Sequence, residues 1–314
     1  MQTFAWNCGF DLIVITDQDT QTLPRSPNLN YDHQKLGSFQ RRCSQVLGTE
    51  VKLAKGYKVC DLRPAFGLIF AEELSGYDYW GHIDLDTFWG NLEAFLNPIL
   101  KQDYDMICGY PYHVGGPFCL YRNSKYINNL FRDNPNYIDV FKSKENKDFD
   151  EIGIKDIKYR GFEWTVRQLE RQGKLTVYRG QQLYLQDCDS SWWIKETRKA
   201  IASADLQEYP TDAQPFKFGT GFWQRRELPR LTDEFQQEYA FYHFLDGKRR
   251  LFQPFAIRGC VQIKSFTIDS NGIHLNYQFG FWWLRHKLEK IIVKVLRFMV
   301  YDLGPLRHRF NLRR

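Results

Sequence analysis

The sequence predicts an α/β fold in which a mainly parallel sheet carries helices on both faces. Short apolar runs alternate with segments of helical periodicity through the first half of the 314 residues, a pattern typical of such sheets. The composition, 43% hydrophobic and 25% charged, is that of an ordinary globular protein. No run approaches the roughly 20 uncharged apolar residues of a membrane-spanning helix, and residues 1–17 do not resemble a secretory signal. We therefore expect a compact, soluble protein.

The individual elements follow from local patterns. Residues 10–16 form a continuous apolar run that ends at Asp17 and predicts a buried strand. Leu36, Phe39, Cys43 and Val46 recur at helical spacing. Further helices are predicted over 62–74 (with Pro64 in the first turn), 88–100, 123–134 and 161–172, and further strands over 77–83, 104–108, 175–178, 238–244, 261–268 and 273–279. A turn at Asn271-Gly272 joins the last two strands into a predicted hairpin.

The net charge of +6 belongs to one end of the chain. Residues 281–314 hold nine Lys and Arg against two Asp and Glu, whereas the rest holds 34 against 35. A body with a net charge of −1 argues against nucleic-acid binding, which needs a basic face. The seven cysteines are scattered without a CxxC pair, which favours reduced thiols and a cytoplasmic location.

The basic end predicts a unit of its own, residues 276–314, beside a main domain of residues 1–275. On a helical wheel, one face is apolar and the other basic, and Trp282 and Trp283 stand at the start. The apolar face comprises Leu284, Leu288, Ile291, Ile292, Val295, Phe298 and Met299. Residues 281–314 therefore fit a helix on the anionic inner face of the cell membrane. A helix packed on the body with a solvated basic face fits equally well.

The strongest chemical signal is the pair Asp84 and Asp86 at the end of the predicted strand 77–83. Side chains two positions apart on a strand point to the same side, so both carboxylates can bind one hard cation. Mg²⁺ or Mn²⁺ bound in this way completes its shell with phosphate oxygens and water. The alternative is a solvated acidic loop. Trp80, Phe88 and Trp89 argue against that alternative, because these flanking side chains favour burial.

These residues belong to a longer pattern. Residues 57–67 (YKVCDLRPAFG) and 76–86 (GYDYWGHIDLD) are followed by 115–123 (GGPFCLYRN), 149–151 (FDE) and 242–244 (YHF). In this order and spacing the motifs resemble a largely uncharacterised bacterial family of GT-A type glycosyltransferases, often associated with surface polysaccharide synthesis. The resemblance covers about residues 5–250. It implies a Rossmann-like GT-A fold and a nucleotide-sugar donor. It also implies a divalent metal at the DxD motif and transfer of the sugar to a glycan or lipid-linked glycan.

The resemblance also implies roles for particular residues. His243 resembles the late histidine that completes the metal shell in several GT-A families, and Lys248 resembles a lysine that contacts the diphosphate. A metal held by Asp84, Asp86 and His243 would neutralise charge on the departing phosphate. The alternative for His243 is a hydrogen-bonded core histidine, because it lies in an apolar strand.

Five more residues are candidates for donor binding. By resemblance Asp61 and Arg63 face the donor. There the arginine can bind a phosphate through two N–H groups or form an ion pair with the aspartate. Asp61 is alternatively a helix cap. Asp17, which directly follows the first predicted strand, is another donor-binding candidate. Gly115 and Gly116 allow close approach of a sugar to the backbone, or form an ordinary turn.

Asp150 and Glu151 are the catalytic candidates. If the reaction inverts configuration, one carboxylate must accept the proton of the acceptor hydroxyl, and the family pattern points to Asp150 first and Glu151 next. If it retains configuration, their role is to position the acceptor. The alternative is a solvated charged face, because a charged run over 142–148 precedes them.

The sequence departs from the family pattern at its start, where Met1 falls inside the first helix. We therefore expect the nucleotide-facing first strand to be absent. Two other functions remain open. One is a non-catalytic glycan-binding protein whose nine Trp and 18 Tyr stack on sugar rings. The other is a phosphotransferase of the haloacid-dehalogenase type, which the segment 83–86 also resembles.

Overall fold

The computed structural model describes most of the chain up to residue 186 and several short segments beyond it. The described residues are 1, 3–21, 23–110, 113–153, 160–180, 183–186, 221–224, 231–232, 238–243, 265–269 and 272–275. Lys248, the tail 276–314 and the predicted turn residue Asn271 lie outside them.

The described part of the chain is a mixture of strands and short helices. Its strands are β1 (Leu12–Thr16), β2 (Leu29–His33), β3 (Tyr79–Ile83), β4 (Thr87–Trp89), β5 (Met106–Cys108), β6 (Phe118–Arg122), β7 (Val177–Arg179), β8 (Tyr184–Gln186), β9 (Gly221–Gln224), β10 (Leu231–Thr232), β11 (Glu238–Tyr239), β12 (Phe241–His243), β13 (Ser265–Asp269) and β14 (Gly272–Leu275). Its α-helices are α1 (Leu36–Leu47), α2 (Phe66–Ile69), α3 (Leu92–Leu100), α4 (Lys125–Asn129), α5 (Tyr137–Lys142) and α6 (Phe162–Arg171). Three 3-10 helices span Phe4–Trp6, Gly56–Ala65 and Leu130–Asp133.

The central sheet is mixed, whereas the sequence predicts a mainly parallel one. Its strand order is β3-β6-β5-β7, and only β5 and β7 pair in parallel. Strand β6 runs antiparallel to both neighbours because the chain reverses at Gly115 and Gly116, whose φ angles are 84° and 68°. A second parallel pair, β1 with β2, lies in a separate two-stranded sheet. The fold is therefore mixed α/β.

Helices cover both faces of the central sheet, as expected. Alternate residues of β5 pack into two different hydrophobic clusters. Met106 and Cys108 belong to the first cluster, and Ile107 belongs to the second. The first cluster contains the buried side of α1, and the second contains that of α3. The described cysteines are thiols, and even Cys108 and Cys119, which lie opposite each other, keep their sulfurs 3.9 Å apart. Within the described residues, none of the helices combines the length and the apolar character needed to cross a membrane.

The helix predicted over 62–74 has a different form. A 3-10 helix spans Gly56–Ala65, and the short α2 follows it directly. Pro64 therefore precedes the α-helix instead of lying in its first turn. Because a 3-10 helix has about three residues per turn, positions three apart are eclipsed. This places Lys58 and Asp61 one above the other on its buried side.

The helix predicted over 88–100 begins later, at Leu92. Asn91 caps it by accepting a hydrogen bond from the backbone N–H of Ala94, at 3.1 Å. The preceding residues form β4, which pairs antiparallel with β12. Strand β8 pairs in parallel with the other side of β12. This three-stranded sheet is important for the site, because β12 ends at His243.

Most other predicted elements are confirmed with shifted ends. They are β1, α1, β3, β5, α4 with its 3-10 extension, α6, β7 and the hairpin of β13 and β14. The predicted strand 238–244 contains the separate strands β11 and β12. Among the described elements, the strands β2, β4, β6, β8, β9 and β10 and the helix α5 were not predicted from the sequence.

Candidate metal centre

Asp84 and Asp86 lie in the short connection between β3 and β4. The backbone N–H of Asp84 donates to the carbonyl of Pro117 at 2.9 Å, which fixes the end of β3 beside the start of β6. Leu85 between the two acids is 61% exposed. The two carboxylates are partly buried, with 26% and 20% of each side chain accessible. They are therefore not a fully solvated acidic loop.

Strand pairing brings His243 to these acids. In the register of β12 with β4, His243 lies opposite Thr87, the residue after Asp86. Its Nε2 lies 3.8 Å from Oδ2 of Asp84 and 3.6 Å from Oδ1 of Asp86. One ligand atom from each of the three residues falls within 4.8 Å of the others. The sequence prediction that these residues lie together is confirmed.

The environment of His243 fits a cation. The residue is 5% exposed, and its Nε2 has no hydrogen-bond partner among the described residues. A buried polar atom is normally satisfied, so an orphaned nitrogen that faces two carboxylates needs an explanation. Two carboxylate oxygens and one imidazole nitrogen are a donor set that suits Mn²⁺, and the carboxylates alone suit Mg²⁺. The residues present therefore fit the metal that the sequence predicts.

The other ring nitrogen of His243 is occupied. Its Nδ1 lies 3.0 Å from the hydroxyl of Tyr110, a residue that is 7% exposed. Tyr110 follows β5 by two residues and was not identified from the sequence. The only signal for it was its place just beyond the end of a predicted strand, where ligand-binding residues of α/β sheets collect.

Arg63 connects the aspartates of the metal centre to the catalytic candidates. Its Nη2 forms an ion pair with Oδ1 of Asp84, and its Nη1 lies 3.0 Å from Oδ2 of Asp150. The same Nη1 donates to the carbonyl of Gly116 at 3.3 Å. The aspartates that Arg63 contacts are therefore Asp84 and Asp150, whereas the sequence suggested pairing with Asp61. Since Arg63 uses Oδ1 of Asp84, Oδ2 remains directed at His243.

Asp150 and Glu151 lie in a crowded carboxylate environment. Burial raises the pKa of Asp150 well above its usual range, and the carboxylates of Glu151 and Asp84 add to this effect against the opposing influence of Arg63. The pKa of Glu151 is raised to about 7, mainly by burial and to a lesser extent by the negative charge of Asp148. A carboxyl group with such a pKa can exchange a proton at neutral pH. These residues are not a solvated face, because Asp150 is only 3% exposed.

Asp61 lies beneath the site and not on its surface, with an exposure of 0%. Its carboxylate accepts hydrogen bonds from Lys58 at 2.6 Å, from the Asn146 amide at 3.2 Å, and from the backbone N–H groups of Lys147 and Phe149 at 2.9 and 2.8 Å. It is not the cap of the helix, whose N-cap is Lys55. These bonds enclose Asp61 and tie the segment before Asp150 to the helix that carries Arg63.

Lys58 completes this buried pair and was also missed by the sequence analysis. It is 1% exposed, and its ammonium group donates to Asp61 and, at 2.7 Å, to the carbonyl of Val140. A buried ammonium is costly unless paired. The signal available in the sequence was the spacing of three between a lysine and an aspartate in a helical segment.

The two glycines form a tightly packed turn. A Cβ at Gly115 would collide with the backbone carbonyl of Asp150, and a Cβ at Gly116 would lie 2.8 Å from the ring of Tyr110. Both residues have positive φ, which favours glycine. Internal packing therefore accounts for both of them. Asp17 is an exposed residue directly after β1, and it accepts a hydrogen bond from the side chain of Gln18 at 2.8 Å.

A family model described as "Family of unknown function (DUF6625)" matches residues 1–275, and the chain belongs to that family. No curated protein and no solved structure matches the chain significantly.

Proposed function

We propose that this protein is a metal-dependent glycosyltransferase that moves a sugar from a nucleotide-diphosphate donor to a hydroxyl of a glycan or lipid-linked glycan. The observation that carries the proposal is the buried Nε2 of His243, which has no hydrogen-bond partner within the described part of the chain and faces Asp84 and Asp86. The motif resemblance to GT-A enzymes supplies the reaction class. The proposed fold is accordingly a GT-A fold built on the mixed sheet.

Asp84, Asp86 and His243 would hold Mn²⁺ or Mg²⁺. The metal supplies Lewis-acid neutralisation of the charge that develops on the departing diphosphate. Arg63 holds Asp84 through Oδ1 and so orients its Oδ2 toward the other two ligands. Outer contacts of this kind fix the ligands of a metal in place.

Asp150 and Glu151 are the proposed proton acceptors for the acceptor hydroxyl in an inverting reaction. Arg63 occupies one oxygen of Asp150, and Asp150 is more buried than Glu151. Glu151 is partly exposed and has a pKa of about 7. These two properties favour Glu151 over Asp150 as the group that takes the proton, which reverses the order that the family pattern suggests.

The experiment is isothermal titration of the full chain with UDP-, GDP- and CDP-sugars, with and without Mn²⁺. Metal-dependent binding of a nucleotide sugar, lost in Asp84→Asn/Asp86→Asn, is the expected result. The matched control is Asp103→Asn, a change at a carboxylate that is 83% exposed. Binding of glycans without any nucleotide sugar would favour the glycan-binding alternative, and binding unaffected by the double substitution would contradict the proposal.

The same proposal includes a location. Residues 281–314 are proposed to dock the enzyme on the inner face of the cell membrane, close to a lipid-linked acceptor, because their charge of +7 suits anionic lipids. Sedimentation with anionic liposomes tests this. Chains with and without residues 281–314 should partition differently, and equal partitioning would contradict the docking.

A further inference from the structure

The hydrogen bond between Tyr110 and His243 affects how the proposed metal centre can bind and release a divalent cation. The hydroxyl of Tyr110 lies 3.0 Å from Nδ1, while Nε2 of the same ring faces the two carboxylates at 3.6 and 3.8 Å. Both side chains are buried, at 7% and 5% exposure. The imidazole is therefore held between one neutral hydroxyl and the acidic pair.

A neutral imidazole carries its single proton on one nitrogen and a lone pair on the other. To bind a metal through Nε2, His243 must hold the proton on Nδ1, from which it donates to the Tyr110 oxygen. In the other neutral tautomer the proton is on Nε2, the nitrogen that faces Asp84 and Asp86. Nδ1 then accepts a hydrogen bond from the Tyr110 hydroxyl.

A hydroxyl suits both states because it is a donor and an acceptor. A backbone carbonyl, a common partner of metal-binding histidines, accepts only and would favour the metal-ready tautomer alone. We propose that Tyr110 is a positioning residue that lets His243 exchange tautomers as a divalent cation enters and leaves, and so sets the affinity of the centre. This inference rests on the metal centre of the proposed function.

The packing around Tyr110 makes its hydroxyl a well-defined partner. The ring lies against Gly116, where a Cβ would come within 2.8 Å of it. On another side the ring contacts the imidazole of His113 edge-on, with 5.4 Å between the ring centres. Because these contacts hold the ring, replacement by phenylalanine removes the hydroxyl and leaves the rest of the side chain in place.

The test is the affinity of the full chain for Mn²⁺ alone, measured by titration calorimetry on the parent and on Tyr110→Phe. We expect the variant to bind Mn²⁺ about 10 to 100 times more weakly, the usual effect of losing an outer partner of a metal ligand. The matched control is Tyr79→Phe, which removes a hydroxyl that donates to the carbonyl of Tyr104 at 2.6 Å. The control should bind Mn²⁺ as the parent does.

A second readout follows the tautomer directly. In ¹⁵N-histidine spectra of the parent, the diamagnetic probe Zn²⁺ should move the proton of His243 from Nε2 to Nδ1. In Tyr110→Phe this shift should need a correspondingly higher Zn²⁺ concentration. Equal Mn²⁺ affinity in parent and variant would overturn this inference while leaving the metal centre intact. No Mn²⁺ binding by the parent would overturn both.

Discussion

Arg63 and Asp150 form an ion pair across 87 positions of sequence, with 3.0 Å between Nη1 and Oδ2. The same guanidinium pairs with Asp84, so one cation is shared by a candidate metal ligand and a candidate proton acceptor. Arg63 is only 12% exposed at its side chain. The two parts of the site are therefore joined by a single buried charge.

Replacing Arg63 by methionine should destabilise the protein strongly. The substitution leaves Asp84 and Asp150 without their shared cation, and breaking a buried pair on one side costs about 3–5 kcal/mol. Arg63→Lys should cost less, about 1–3 kcal/mol, because an ammonium keeps the charge but not the two-pronged geometry. Urea denaturation of both variants measures these losses in the free energy of unfolding.

An exposed ion pair serves as the control for this prediction. Lys52 pairs with Glu50 at 3.3 Å, and the two side chains are 37% and 61% exposed. Exposed pairs contribute at most about 1 kcal/mol, so Lys52→Met should have a small effect. If both methionine variants lose the same stability, Arg63 does not act as a buried link.

The buried pair of Lys58 and Asp61 should respond asymmetrically to substitution. Asp61→Asn leaves the Lys58 ammonium buried without a counter-charge and weakens acceptance from two backbone N–H groups, so about 3–5 kcal/mol should be lost. Lys58→Met leaves Asp61 with its hydrogen bonds from Asn146, Lys147 and Phe149. The loss in Lys58→Met should therefore be smaller by at least roughly 1 kcal/mol.

Chemical denaturation of the two variants decides this prediction, and metal-dependent activity gives a second readout. Asp61 holds the segment leading to Asp150, so Asp61→Asn should also lower kcat more than it raises KM. Equal stability losses, or an unchanged kcat in Asp61→Asn, would contradict the positioning role of Asp61.

Glu151 should make the protein less stable as the pH rises. Its pKa is raised from 4.5 to about 7, so between these values the folded state binds more protons than the unfolded state. The free energy of unfolding therefore falls with increasing pH across that window, and the penalty is complete above it. Glu151→Gln removes the penalty. Relative to the parent, it should gain roughly 1–3 kcal/mol between about pH 5 and about pH 8.

Urea denaturation at several pH values measures this gain. Glu145→Gln is the control for the change of residue type, since the Glu145 side chain is 80% exposed, and it should not show the gain that is expected of Glu151→Gln. A Glu151→Gln variant whose difference from the parent does not change with pH would show that Glu151 ionises without penalty in the folded protein.

The part of the site that strand patterns encode was predictable from the sequence. An apolar strand ending in two aspartates gave β3 and both acids, and His243 was placed with them. The strand pairing that brings His243 to the two aspartates could not be predicted from the sequence. Thr87–Trp89 has the apolar character of the helix that follows, so periodicity assigned it to that helix and missed β4. Its pairing with β12 is a long-range contact that no local pattern encodes.

The contacts of Arg63, Asp61 and Asp150 could not be predicted from the sequence for a related reason. The sequence predicted an α-helix over 62–74, which would have given Asp61 and Arg63 a common terminal position. The observed 3-10 helix gives them different directions, Asp61 into the core and Arg63 toward the acids. The choice of partners then depends on where residues 146–150 pack, which is a tertiary effect.

A substitution at Gly115 tests how tightly the turn at Gly115 packs against the backbone of Asp150. Gly115→Ala should cost more than Gly48→Ala, although both glycines have positive φ, 84° and 66°. Gly48, at the end of α1, has open space where a Cβ would go, so its variant should lose only the strain of about 1–2 kcal/mol. At Gly115 the new Cβ meets the backbone carbonyl of Asp150, which cannot rotate away, and overpacking should add about 1–3 kcal/mol.

The displacement caused at Gly115 should also reach the metal centre. Moving the backbone of Asp150 pulls its carboxylate from Arg63, and Arg63 in turn orients Asp84. We therefore expect Gly115→Ala to bind Mn²⁺ more weakly than the parent and Gly48→Ala to bind it equally well, measured by calorimetry at a temperature where both variants are folded. Unchanged Mn²⁺ affinity in Gly115→Ala would mean that Asp84 is oriented independently of Asp150, and that Arg63 does not couple the two carboxylates.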